Sequence, residues 1–288
     1  MKKMIKIAAM LLVVITTSNA IAQELPQPSP AAKVEQRIGL TDVTVVYSRP
    51  SVKDRKIFGE LVPFDKVWRT GANANTLITF TDDVKINGEN LKAGTYSFFM
   101  IPSEKSPKWT VMFNSVIDGW GDGKYDKVNN VLKVGAETRT ISAHESMLFS
   151  FDNLTENSGE LTLSWSTLAI SVIIEVEVEE KSWANIKKAI AEVTDTDKAS
   201  VYRNAAKYAA SSKKNLPSGL GWINESIKAK EYWYSYWVKA DVQHAAGDNK
   251  GAIESAKKAI ELGEAGAKES GKPFGYTDRL KKAITEYK

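Results

Sequence analysis

Leu161-Thr162-Leu163-Ser164-Trp165, then Val172-Ile173-Ile174-Glu175-Val176-Glu177-Val178-Glu179-Glu180, then Lys181-Ser182-Trp183-Ala184-Asn185-Ile186-Lys187-Lys188-Ala189-Ile190, is the stretch whose reading decides the fold. Up to position 180 apolar and polar side chains alternate, the period of a half-buried strand. After it the apolar residues recur every three or four positions, as on one face of a helix. A change of period at one point in the chain predicts two separately packed layers.

Working towards the N-terminus, Val43-Thr44-Val45-Val46-Tyr47, Thr76-Leu77-Ile78-Thr79-Phe80, Thr95-Tyr96-Ser97-Phe98-Phe99-Met100 and Trp109-Thr110-Val111-Met112-Phe113 read as further short strands. Asn87-Gly88 between Val84-Lys85-Ile86 and Leu91 reads as a tight turn, because both residues tolerate positive φ. Eight to ten such strands without an intervening helical stretch predict an antiparallel β-sandwich, with a jelly roll or barrel as its nearest variants. Towards the C-terminus, Ser182 reads as the cap of a helix through Trp183, Ile186 and Ile190, and Asp197 as the cap of another through Val201 and Tyr208. A third helix opens at Pro217-Ser218-Gly219, a fourth runs from Tyr232 to Ala246 and stops at Gly247-Asp248, and a fifth carries Ala252, Ile253, Ala256, Ala259 and Ile260. Paired helices of this length predict an α-helical hairpin domain. The expected organisation is a signal peptide over 1–22, a Pro-rich leader over 23–38, a β-sandwich domain over 39–180 and a helical domain over 181–288.

The composition excludes several chemistries. The 288 residues contain no Cys, so disulfides, thiolate nucleophiles, Cys-ligated zinc and iron–sulfur clusters are out of reach. His144 and His244 are the two histidines, too few for a multi-His metal site in one chain. No metal or cofactor is therefore expected. Lys2, Lys3 and Lys6, the apolar run Ile7 to Ile15 and the small-x-small Ala20-Ile21-Ala22 read as a secretory signal cut before Gln23. This predicts a periplasmic or secreted protein with no membrane span after cleavage. Without those three lysines the net charge falls from +4 to about +1, which gives no support to a nucleic-acid partner. The charge is unevenly spread: 23–180 carries 16 basic and 22 acidic residues, 181–288 carries 20 and 13.

Tyr47-Ser48-Arg49-Pro50, Arg55-Lys56-Ile57-Phe58-Gly59-Glu60-Leu61-Val62-Pro63, Trp68-Arg69-Thr70-Gly71-Ala72-Asn73, Lys92-Ala93-Gly94-Thr95-Tyr96-Ser97, Trp120-Gly121 and Tyr125 together resemble the domain of unknown function 2911 family of secreted bacterial proteins, over roughly 39–178. The resemblance implies a secreted β-rich domain and supplies no activity. The chain departs from the family pattern at Ala74, where a Glu usually follows G-A-N, at Asp54 in place of a Gly, and at Asn130 in place of a frequent Asp. A catalytic role for a carboxylate after Asn73 is thus unavailable here.

Arg49, Arg55, Trp68, Arg69 and Asn73 are the candidate ligand-binding residues. Guanidinium forks suit carboxylate, sulfate or phosphate, and Trp and Asn suit a sugar, so a cleft for a small anionic or carbohydrate ligand is one expectation. Loop architecture, with Arg and Asn bonding main-chain carbonyls and Trp68 in the core, is the other. Serine chemistry is disfavoured, since G-x-S-x-G is absent. The loop from Asp118 to Asp126 sets three carboxylates among glycines but lacks EF-hand spacing, and reads as a turn packed down by Trp120. In the helical part, Tyr236, Ala240, Ala252, Ala256 and Ala259 resemble the spacing of one tetratricopeptide unit. Tyr232, Trp233, Tyr236 and Trp237 are aromatic on more faces than one core stripe needs, and are candidates for contact with the sandwich, a protein partner or a ligand. The expected function is a non-catalytic binding or structural role; the alternatives are a periplasmic hydrolase of carbohydrate or ester, and a helical scaffold for protein contacts.

Overall fold

The structure, a computed structural model, describes residues 25–121 and 123–288. The signal peptide expected over 1–22 lies outside them. The chain divides into two compact units, one ending at Val176 and the other beginning at Glu177.

The first unit is an antiparallel sheet. Its strands are β1 (Ala31–Ile38), β2 (Thr41–Ser48), β3 (Leu77–Phe80), β4 (Val84–Ile86), β5 (Glu89–Leu91), β6 (Gly94–Ile101), β7 (Lys108–Asn114), β8 (Asn130–Asp152) and β9 (Ser158–Val176). They hydrogen-bond in the order β1-β2-β3-β6-β7-β8-β9-β4-β5, a meander whose β4–β5 hairpin is carried to the far edge beyond β9. Residues 31–38, expected as part of a loose leader, form β1 instead, paired with β2 from Ala31↔Ser48 to Ile38↔Thr41. Its sequence is polar and poor in β-branched residues, so the pairing partner rather than propensity makes it a strand.

The two segments expected as separate strands around Trp165 and Val172 are one strand, β9, bent at Ser166, which sits at φ +53°. Its register with β8 runs from Thr140↔Leu168 through His144↔Ser166 to Leu148↔Ser164, so β8 advances eight residues while β9 advances four. The extra residues of β8 bulge outward, and β8 takes the outer track of a corner. Beyond this corner the hairpin doubles back. Val176 N donates to Asn157 O at 2.8 Å, and the Glu160 carboxylate is hydrogen-bonded by Ser171 of the same strand, two positions that a straight strand would hold about 36 Å apart.

The returned arm covers the sheet and creates the core. Phe149 meets Tyr47 edge-on at 4.9 Å and Phe98 at 5.9 Å, while Trp165 stacks on Trp68 at 5.9 Å beside Phe58. Polar bonds fasten the arm at its outer side: Val52 N donates to Glu145 O, Met147 N to Pro50 O, and Phe149 N to the Tyr47 hydroxyl at 3.1 Å.

The second unit has six helices: α1 (Glu179–Ala191), α2 (Lys198–Ser212), α3 (Leu216–Ala229), α4 (Trp233–Ala245), α5 (Asn249–Ser270) and α6 (Thr277–Glu286). Ser182, expected as the first cap, lies inside α1; the Glu177 carboxylate accepts from Glu179 N and Glu180 N and takes that role. Asp197, expected as the second cap, stands just before α2 but its side chain makes no cap bond, whereas Asp248 caps α5, accepting from Gly251 N at 2.9 Å. Two small-residue cores hold the unit, one from Ala206, Ile223, Val238 and Val242, the other from Ala240, Ala252, Ala256, Ala259, Leu280 and Tyr287. Among the described residues no helix is long and apolar enough to cross a membrane.

The Tyr47 hydroxyl serves a buried backbone donor of the arm. Tyr47→Phe leaves the Phe149 N–H unpaired and is expected to cost about 1–3 kcal/mol, read by urea denaturation, while Val46→Thr on the exposed face shifts the midpoint little; equal effects would argue against the fastening.

Candidate functional site

The Arg, Trp and Asn candidates of the β unit all lie in the long connection between β2 and β3. Arg49 Nε donates to Met147 O at 2.8 Å and its backbone N to Pro30 O, tying β2 to the arm and to the segment before β1. Arg55 is exposed and folds onto its own turn, donating to Val52 O at 2.9 Å and Ser51 O at 2.5 Å. Trp68 is 7% exposed, its indole N–H turned to Gly71 O and its ring in the aromatic core. Asn73, at φ +59°, donates to Ser29 O and Ser48 Oγ. Arg69 alone keeps a buried nitrogen, Nε, without a protein partner. Four of the five, Arg49, Arg55, Trp68 and Asn73, thus donate to main-chain carbonyls, and Trp68 also packs the core.

Arg69 and Asn73 share a neighbour, the loop after Ile117. Asn73 O accepts from Gly121 N, Ala74 bridges Trp120, and Asn75 N donates to Gly119 O. A Cβ at Gly119 would run into the buried Asn75 amide, which is why glycine is needed there. Trp120, expected to pack this loop down, is 72% exposed; the backbone bridges hold the loop in its place. Asp118 pairs with Lys124 at 2.7 Å, Asp122 lies outside the described residues, and no group of three or more metal-ligating side chains exists among the described ones.

A wide depression of about 950 Å³ lies over β8, β9 and the β4–β5 turn. Three of its charged residues, Lys108, Glu137 and Glu160, are engaged by neighbours. Lys108 pairs with Glu137 at 2.7 Å, and bonds from Ser171 and Asn153 hold the Glu160 carboxyl below its ordinary value despite partial burial. Asn87 at the turn spans it, donating to Gly135 O and accepting from Ile173 N.

The helical unit offers a smaller site. A cavity of about 460 Å³ is walled by the rings of Tyr232, Trp233, Tyr234, Trp237 and Tyr276, with Lys207, Arg279 and Asp241 among them. Trp233 is the hub, 5.0 Å from Tyr276, 4.9 Å from Phe274 and 6.2 Å from Trp237. Trp233, Trp237 and Asp241 follow one another at four-residue steps and so share one face of α4. Arg279 lies over Trp237 at 5.3 Å, and Arg203 and Lys207 lie over Tyr234 at 5.6 and 5.9 Å.

Three of the four aromatic candidates, Tyr232, Trp233 and Trp237, line this cavity. Tyr236 turns away, packs on the second small-residue core and donates to Glu231 at 2.9 Å. Tyr232 is the extended residue before α4, at φ −154°, which places it outside the helical spacing that would have set it above Tyr236. Lys207, Tyr234, Asp241, Tyr276 and Arg279 were not indicated by the sequence reading. Tyr234 stood inside the aromatic run; Phe274-Gly275-Tyr276 between two helices, with Arg279 one turn later, was the remaining signal.

A family model described as Protein of unknown function (DUF2911) matches residues 29–174, just over half of the chain. The chain is a DUF2911 protein. That region runs from just before β1 to near the end of β9, and it includes both the Arg49–Asn73 connection and the exposed Trp120. The aromatic cavity lies outside the DUF2911 match, in the helical unit. No curated protein and no solved structure matches the chain.

At the cavity floor, Asp241 accepts from the Tyr287 hydroxyl at 2.6 Å. Burial pushes the Asp241 carboxyl above its ordinary value, opposed by the Tyr287 bond and by the charges of His244 and Lys207. Burial likewise pushes the Tyr287 hydroxyl up, aided by its bond to Asp241. A carboxyl that holds its proton more tightly folded than unfolded supplies stability that is complete below pH 3.8 and lost as pH rises through the folded value. Asp241→Asn is therefore expected to lose less stability in thermal melts than the parent as pH rises above 3.8; the same pH slope in parent and variant would show that Asp241 does not contribute to it.

Proposed function

We propose that this is an exported, non-catalytic ligand-binding protein, in which the β unit is a scaffold and the helical unit takes a small molecule in its aromatic cavity. The observation that carries the reading is the cavity itself. Its volume of about 460 Å³ falls in the range of about 300–1,000 Å³ typical of small-molecule sites, and its make-up, apolar rings with a few polar groups, is the usual one. Its rings offer flat faces to a sugar or another ring, and its charged groups can fix the orientation.

The β unit supports the scaffold half of the reading. Arg49, Arg55 and Asn73 spend their donors on the chain's own carbonyls and hydroxyls, and the open depression over β8 and β9 is crossed by internal pairs. A protein partner is a weaker match than a small molecule, because the rings face one another around a concavity instead of forming a flat patch.

The test is isothermal titration of the full mature chain against a panel of glycans and small anions. Binding is expected from at least one member, weakened at least about tenfold by Trp237→Ala and left intact by Arg49→Ala, which should instead lower the unfolding midpoint. Binding that survives Trp237→Ala and fails in Arg49→Ala would move the site to the β unit; no binding from any member would remove the reading.

A further inference from the structure

The charges around the aromatic cavity are unbalanced, and the imbalance names a ligand class. Lys207 and Arg279 line the cavity, and Arg203 lies behind Tyr232 and Tyr234 at 5.7 and 5.6 Å. Among the described residues none of these three cations has a carboxylate within ion-pairing distance, although exposed pairs such as Lys198–Glu225 and Lys214–Glu179 form elsewhere in the same unit. Arg203 Nε is moreover buried with no hydrogen-bond partner. Arg203 is not among the residues that line the cavity, so its charge reaches an occupant through the field it adds there.

The single carboxylate in the cavity does not answer these cations. Asp241 is engaged by the Tyr287 hydroxyl and by the Trp237 side chain, and Lys207 acts on it only at longer range. The placement of Arg279 also matters. Its guanidinium carbon lies 5.3 Å from the centroid of the Trp237 ring, so the cation stands at the aromatic wall itself. A guanidinium is a fork that receives a carboxylate with two parallel hydrogen bonds. A ligand ring resting on the aromatic wall would then carry its carboxylate beside Arg279.

Resting on the cavity reading above, the geometry points to a ring carboxylate as the ligand: one six-membered ring with an apolar face, bearing a carboxylate that Arg279 and Lys207 receive. A uronic acid and an aromatic acid share this chemistry. The rings bind the face, the cations bind the acid, and Asp241 at the floor takes a hydroxyl donor if the ligand is a sugar.

The experiment is calorimetric titration of the full mature chain at low salt with glucuronate, glucose, benzoate, benzyl alcohol and acetate. The expected result is that glucuronate or benzoate binds at least about tenfold tighter than its uncharged counterpart, that acetate binds far more weakly than either, and that Arg279→Gln and Lys207→Gln each erase the preference for the acid. Glucuronate over benzoate assigns the site to acidic sugars, and the reverse to aromatic acids. Glucose or benzyl alcohol binding as tightly as its acid overturns the inference while leaving the cavity as a binding site. Acetate binding as tightly as the ring acids overturns the role of the aromatic wall. No binding by any of the five overturns the ring-carboxylate assignment, and the wider panel then decides whether the cavity binds at all. Circular dichroism of both variants guards against loss of fold, and Arg279→Lys, which keeps the charge but loses the fork, is expected to bind glucuronate or benzoate with intermediate affinity.

Discussion

The corner between His144 and Ser166 is the constraint on which the β unit depends. A nine-stranded sheet has two faces and, left open, would leave one of them wet. By giving β8 eight residues where β9 has four, the chain forces its longest hairpin to turn back and lay Phe149 and Trp165 on the sheet it has just left. Trp165 of that arm completes the aromatic cluster that Phe58, Trp68 and Trp109 begin. Positive φ at Ser166 is tolerated in this setting, since packing on both sides of the bend holds the strand there.

Much of what looked like recognition chemistry in the sequence follows from the same corner. An arm folded across a sheet brings carbonyls that no longer have strand partners, and these must be bonded. Arg49 answers Met147 O, and Tyr47 answers Phe149 N. The conspicuous residues of the family motif in this chain thus act largely on the chain itself. The helical unit solves a different problem. Ala and Gly at α2–α5 contacts bring helices close, as where Gly219 meets Ala209 and Val242. Larger rings gather in two places away from such contacts, Trp183 with Tyr208 and Trp222 on α1 to α3, and the rings at the start of α4 and before α6 that surround the cavity.

The sequence was most readable where a short segment carries its own period. β2 and β3 alternate, β6 and β7 are short apolar runs buried on both faces, and the small residues of α5 recur on one face, so element type followed from local pattern. β1 was lost because Ala31-Ala32-Lys33-Val34-Glu35-Gln36-Arg37 alternates weakly and follows three prolines; its identity comes from β2 across the Gly39 turn. The corner was unreadable for a related reason. His144 and Ser166 are ordinary residues, and only the unequal register between two strands makes a bend of them. α6 was missed because it is short and its apolar residues, Leu280, Ala283 and Ile284, are few. For the cavity, the aromatic run of α4 gave the near wall. The far wall, Tyr276 and Arg279, comes from forty residues later, and no local pattern connects the two.

The position of that far wall is set from behind. Phe274 lies on Gly263 of α5 so closely that any side chain there would strike its ring, and Phe274 in turn abuts Trp233 and Tyr276. A single methyl group added at Gly263 would therefore push two rings inward or outward without altering any residue that faces a ligand. Descendants of this chain could retune what the cavity accepts through a residue that never touches the occupant, and a comparison restricted to lining residues would overlook the change.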